Sequence, residues 1–294
     1  MNIDGVHTAL ITPMLEDGTV NWAGLEQLIE FQINSGVQSI LLLGTTAETP
    51  TLEDSEQEEI LKRCIKQIAK RVPVMVGTGS NDTKRAIKNS LRAQELGADS
   101  LLLVSPFYNK PTQQGLLLHF KAVAESVKTP IIIYNIFGRT GVNISTDTMI
   151  KVATLPNIIG VKEASGSLDQ MMEVIQQIQM KQSHFKVSSG DDALTLPLLS
   201  VGGRGVISVV SNLFPKEIVA MCQAALNGNY ELARSWHYRL LPVFKLAFIE
   251  TNPAPIKYLM QQRKLPAGGC RLPLSGLLPE SQQKLDQLLS SLDF

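Results

Sequence analysis

Pro130-Ile131-Ile132-Ile133-Tyr134-Asn135 and Ile158-Ile159-Gly160-Val161-Lys162 are short runs with apolar residues at odd and even positions alike. Side chains alternate across a strand, so such a run buries both faces, as in a parallel sheet covered by helices. Runs of the same kind occupy residues 6–12, 38–43, 73–77, 100–104, 185–188 and 205–209. Between them lie stretches with apolar residues at three- and four-residue spacing, such as 25–33, 56–69 and 86–96. Gly36 and Gly97 stand where a left-handed residue stops a helix, and Asp82 and Ser145 where a side chain caps one. Eight strand–helix units predict an α/β fold, a closed (β/α)8 TIM barrel.

The competing architecture is an open, doubly wound sheet. Its dinucleotide fingerprint is missing, because Thr12-Pro13-Met14-Leu15 follows the first strand. Gly202-Gly203-Arg204-Gly205 precedes a strand instead of opening a helix and reads as a tight turn. Beyond Ser211 the strand pattern stops. Residues 215–292 read as helices broken by Pro253, Pro255, Pro266 and Pro273, with no low-complexity linker before them. The expected organisation is a catalytic barrel over residues 1–224 and a C-terminal helical domain over 225–294.

The 294 residues are 44% hydrophobic and 18% charged, which excludes a disordered chain. Lys+Arg and Asp+Glu both number 27, so there is no basic excess for nucleic acid or an anionic membrane surface. A small molecule or a second copy of the chain is the expected partner. Cys64, Cys222 and Cys270 are far apart, the N-terminus lacks a signal-peptide pattern, and no apolar run is long enough to span a membrane. A cytoplasmic protein is expected. His7, His119, His184 and His237 form no paired spacing, so a metal centre is not expected.

Reactive groups in a parallel barrel sit at the C-terminal strand ends. Lys162 ends the sixth run, and simple alternation points it the same way as Ile158 and Gly160. Facing inward, its ammonium would lose hydration, and the neutral amine could condense with a ketone as a Schiff base. Facing outward, it would pack its stem and keep its head in water. Pattern alone leaves both readings open. Tyr134 shares the parity of Ile132 and either relays protons beside Lys162 or is a satisfied interior phenol. Thr45 and Thr46 offer hydroxyls to a carboxylate or cap a turn, and Arg139 clamps a carboxylate or lies on the surface. Asp191-Asp192 reads as a helix cap.

Taken in order, Gly44-Thr45-Thr46-x-Glu48, Tyr134-Asn135-x-x-x-Arg139-Thr140-Gly141, Gly160-Val161-Lys162-Glu163-Ala164 and Ser189-Gly190-Asp191-Asp192 resemble the dihydrodipicolinate synthase family. The likeness extends to Gly205-Val206-Ile207-Ser208 and Asn252-Pro253-Ala254-Pro255-Ile256-Lys257, and so covers nearly the whole chain. It implies a barrel with a C-terminal helical domain, a homotetramer of tight dimers, and condensation of pyruvate with L-aspartate 4-semialdehyde on the diaminopimelate route to lysine. It assigns the Schiff base to Lys162 and proton transfer to Tyr134. Thr45 and Tyr108 complete the relay, Tyr108 from the neighbouring copy. Thr46, Ile207 and Gly190 are assigned to substrate binding, and Arg139 to the semialdehyde carboxylate. No organic cofactor or metal is implied, since the imine is the electron sink.

Sister activities on this scaffold are N-acetylneuraminate (sialic acid) lyase and 2-keto-3-deoxy sugar acid aldolase; Arg139 favours a small second substrate bearing a carboxylate. The out-of-class alternative is a non-catalytic keto-acid-binding barrel. Two positions depart from the family pattern: Ala47 stands where glycine is usual, and Phe137-Gly138 replaces Pro-Ser before Arg139. The positions matching the family's site for inhibitory L-lysine are Thr49, Pro50, Asp54, Gln57, Asn81, Arg85 and Phe107. Arg85 replaces a glutamate there, so weak or absent inhibition is expected.

Overall fold

A computed structural model describes residues 3–293. Alternate strand positions separate into two apolar layers. Val6, Ile40, Leu42, Leu101, Leu103, Ile131, Ile133, Val161 and Val206 pack outward against helices, while Ala9, Leu41, Met75, Leu102, Ile132, Tyr134 and Ile207 fill the interior. This double burial is why the strands read as continuously apolar. The strands are β1 (Gly5–Ala9), β2 (Ser39–Leu42), β3 (Val74–Gly77), β4 (Ser100–Val104), β5 (Ile131–Asn135), β6 (Ile158–Glu163), β7 (Lys186–Ser189) and β8 (Gly205–Ser208). They pair in parallel in chain order, and β8 closes on β1.

All eight expected runs contain a strand; their edges move by a few residues. β1 ends at Ala9 rather than Thr12, because the Asn212 side chain takes up the Ile11 N–H at 3.0 Å. The first three expected helices begin earlier, at Trp22, Asp54 and Thr83. Asn21, a Glu53–Glu56 capping box and Asp82 set those starts by satisfying free N–H groups. Gly36 and Gly97 have φ of 81° and 94° at helix ends, and the Ser145 side chain caps the helix Thr146–Val152.

One expectation about facing is overturned. Ile158 packs in the outer layer, whereas Ile159 lies against the interior cluster. The β5–β6 register runs Ile131↔Ile158 and then Ile132↔Gly160, so one extra residue is inserted. Such a bulge breaks simple alternation. Gly160 and Lys162 lie beyond it and keep their inward facing.

The C-terminal helices are Pro215–Leu226, Tyr230–Leu246, Ala254–Gln262 and Pro279–Ser291. Pro255 lies in the first turn of its helix instead of breaking it, since a first-turn N–H has no intrahelical partner to lose. Helix Pro215–Leu226 packs on β1, and the apolar faces of the later helices merge with the outer layer. Among the described residues, no helix is long and apolar enough to cross a membrane.

Candidate active site

Room for a lysine in the barrel is made by glycine. A Cβ on Gly160 would fall 2.4 Å from the Lys186 carbonyl oxygen and 2.7 Å from Ile3 Cδ1. At Gly190, at the exit of β7, it would meet Ala164 Cβ at 2.7 Å and Lys162 Cε at 2.9 Å. Gly190 therefore bounds the Lys162 stem. Lys162 is only 4% exposed, which decides between its two readings: the head is inside.

Burial lowers the Lys162 pKa to about 7, with Arg139 acting in the same direction and Asp192 opposing it. A substantial fraction is therefore neutral amine near neutral pH. Tyr134 is its register partner on β5, and Lys162 Nζ lies 4.3 Å from the centre of the phenol ring. Burial pushes the Tyr134 pKa up to about 12, against the pull of Arg139 and a hydrogen bond from Thr45. The phenol thus holds its proton beside the amine.

Thr45 and Thr46 lie on a 3-10 turn, Thr45–Ala47, that follows β2. Its left-handed residue is Glu48, with φ of 56°, so buried Ala47 avoids the conformation in which a Cβ is strained. The Asn252 amide donates to Thr46 Oγ1 at 3.0 Å. Arg139 sits on the helical turn Phe137–Thr140 and donates to the Asn252 carbonyl at 3.3 Å. Phe137 is exposed, and a Cβ on Gly138 would enter open space, so the change before Arg139 leaves this rim uncrowded. Ile207 forms part of the interior apolar wall.

Lys162, Tyr134, Thr45, Thr46, Gly190, Ile207 and Arg139 thus surround the barrel's C-terminal mouth. Tyr108 is not gathered with them: it is 89% exposed on the loop after β4, with φ of 72°. The acidic pair divides its work differently from expectation. Asp191 caps the short turn Asp192–Leu194, but Asp192 is buried. It accepts from the Ser208 hydroxyl and from the N–H groups of Val209 (3.0 Å) and Val210 (3.3 Å). Burial pushes its pKa up to about 6. Sequence reasoning missed Asp192 as an electrostatic partner of Lys162; its place just beyond a strand's C-terminal end was the available signal. Among the described residues, no group of three or more His, Cys, Asp or Glu side chains is arranged to hold a metal.

A buried amine that is neutral in substantial part, a protonated phenol against it and hydroxyls at the rim form the constellation of a Schiff-base lyase. The Dihydrodipicolinate synthetase family model matches residues 2–292, and the chain belongs to that family. It is 48% identical over 292 residues to 4-hydroxy-tetrahydrodipicolinate synthase of Protochlamydia amoebophila (strain UWE25), covering 99% of this chain and 97% of that one. The dihydrodipicolinate synthase of Aquifex aeolicus superposes with a TM-score of 0.94 at 44% identity, covering 98% and 97% of the two chains. A chloride-inhibited dihydrodipicolinate synthase of Acinetobacter baumannii, complexed with pyruvate, gives 0.95 at 39%, covering 98% of each.

Proposed function

We propose that the chain condenses pyruvate with L-aspartate 4-semialdehyde to give 4-hydroxy-tetrahydrodipicolinate, a lyase-class step of diaminopimelate and lysine biosynthesis. The observation that carries the reading is the inward, desolvated Lys162 amine beside Tyr134. Family membership and relatives at 41–48% identity support the choice of substrates.

Neutral Lys162 attacks C2 of pyruvate, Tyr134 protonates the carbinolamine oxygen, and water leaves to give the iminium. Loss of a methyl proton makes an enamine whose carbon attacks the semialdehyde aldehyde. The substrate's amino group then displaces Lys162 Nζ as the ring closes, restoring the amine. The imine serves as electron sink, so the scheme uses no metal or organic cofactor. Thr46, Ile207 and Gly190 hold pyruvate, Thr45 couples Tyr134 to solvent, and Arg139 takes the semialdehyde carboxylate. Tyr108 completes the relay from a second copy in a homotetramer of tight dimers; its exposure in one chain fits that role. We place the enzyme in the cytoplasm, with residues 1–224 as catalytic barrel and 225–294 as helical domain.

Borohydride with pyruvate should trap a reduced adduct on Lys162, located by peptide mass spectrometry. Absence of that adduct would end the Schiff-base reading and leave a keto-acid-binding barrel. The trapping rate should fall about tenfold per pH unit below pH 7, because protonation removes the nucleophile, with an inflection near 7 rather than 10.5. Ring-product formation with the semialdehyde, set against pyruvate release from sialic acid or a 2-keto-3-deoxy sugar acid, separates the sister activities.

Arg139→Ala should raise the KM for the semialdehyde far more than that for pyruvate. An equal effect on both would make Arg139 structural. L-Lysine should inhibit weakly at most. Lys84, Arg85 and Lys88 line a cleft of about 230 Å³ with Asp54 and Asp82; Lys88 pairs with Asp54 at 3.6 Å, and the Asp82 carboxylate caps the helix through the Lys84 and Arg85 N–H groups. A ligand ammonium there meets cations where the family's lysine-sensitive pattern has an acid. Half-inhibition below about a millimolar in a steady-state titration would show that another acid takes the ammonium.

A further inference from the structure

Two sequence motifs have no part in the chemistry above: Glu48, and the stretch from Asn252 to Lys257. The fold brings them together. Lys257 on helix Ala254–Gln262 donates from Nζ to Glu48 Oε1 at 2.6 Å, with both side chains at most 2% exposed. Its second acceptor is the Gly269 carbonyl at 2.6 Å. The other Glu48 oxygen accepts the Arg271 backbone N–H at 2.9 Å, so both carboxylate oxygens are held from the C-terminal segment. The Arg271 guanidinium grips the chain further along, at the Thr51 carbonyl (2.7 Å) and, in the first turn of the helix that follows, both oxygens of Glu56 (2.7 and 2.6 Å).

Glu48 directly follows the turn that carries Thr45 and Thr46, and its N–H closes that turn onto the Thr45 carbonyl. It adopts φ of 56°, a conformation a residue with a Cβ persists in when its surroundings fix it. At the other end of the same segment, Asn252 holds Thr46 Oγ1 through its amide and Arg139 through its carbonyl. A buried ion pair is a poor way to gain stability, since well-packed apolar residues often do as well. It is a good way to fix one atom relative to another, because a charge-assisted bond defines both length and direction.

We propose that Glu48 and Lys257 are a positioning pair: they tether the Thr45–Ala47 turn to the C-terminal helical segment and so set the Thr46 hydroxyl against pyruvate and the Thr45 hydroxyl against Tyr134. The inference rests on the Lys162 chemistry proposed above and extends it to residues that touch no reacting atom.

The test compares wild type, Lys257→Met, the neutral double variant Glu48→Gln/Lys257→Met, and Asn252→Ala, each read by thermal midpoint, pyruvate KM, kcat and pyruvate-dependent trapping. Lys257→Met leaves a buried carboxylate unpaired and should lower the thermal midpoint as well as raise the pyruvate KM about tenfold. In the double variant the midpoint should recover toward wild type, while the pyruvate KM stays at least about fivefold raised. Asn252→Ala, which leaves the ion pair intact, should raise the pyruvate KM with little change in midpoint. Recovery of stability and KM together in the double variant would overturn the positioning role in favour of a structural one. If the Lys257 variants do not fold, Glu48→Gln, which keeps the side-chain shape and removes the charge, decides: a wild-type pyruvate KM in it overturns the role. Failure to trap pyruvate on wild-type Lys162 overturns the underlying chemistry and the pair's role with it; trapping in wild type with unchanged variants overturns the pair alone.

Discussion

Substituting Lys162 by alanine should lower turnover by at least roughly 10³-fold with the barrel still folded, because nothing else in the interior cluster can form the covalent intermediate. Steady-state rates with both substrates check this, and retention of a tenth of wild-type activity would contradict it. A second consequence separates chemistry from stability. Folded Lys162 titrates near 7 and an unfolded lysine near 10.5. Between those values the unfolded chain binds a proton that the folded one refuses, so stability falls as pH drops through this window. The slope is about 1.4 kcal/mol per pH unit, and it levels off below 7. Lys162→Met keeps the stem and removes the penalty. It should be inactive yet melt higher than wild type at pH 7–8, and a lower midpoint would show that the buried amine is not a net cost.

Tyr134→Phe should reduce kcat by roughly 10²–10⁴-fold, the usual worth of a placed acid or base, while pyruvate binds with much smaller loss. The phenyl ring preserves the packing against Lys162 and removes only the hydroxyl. Rapid trapping should show imine formation and carbon–carbon bond formation both slowed, since each needs a proton moved. A kcat within about threefold of wild type would assign the proton transfers to Thr45 or solvent.

Lys162 and Tyr134 were legible as candidates because strand alternation is local: Gly160 with Lys162, and Ile132 with Tyr134, keep their parity over two residues, while burial alone settles that this parity faces the interior. Extending the same rule back to Ile158 fails, because the inserted residue in β6 is set by the register with β5, which no local pattern encodes. The barrel was legible from repetition, each strand carrying the same two-faced apolar signal. Asp192 was misread because its partners, Ser208, Val209 and Val210, come from the end of β8 and the turn that follows it. A carboxylate that caps its own turn and one that reaches across to another look alike in sequence. Glu48 was visible only as a motif letter, since its counter-ion is 209 positions away.

That separation has a consequence for how the protein is made. Synthesis runs from the N-terminus at about 5–20 residues per second, so Lys257 follows the end of β8 by roughly 2–10 s. For that interval the nascent chain holds all eight strands, Lys162 and Tyr134, yet Glu48 has no counter-ion and Thr46 no amide from Asn252. The same holds permanently for a product that terminates between Ser208 and Asn252. Such a fragment carries every pyruvate-facing group proposed here and lacks the tether that aims the threonine turn, so addition of the segment from Asn252 to Lys257 becomes the last step in assembling the site.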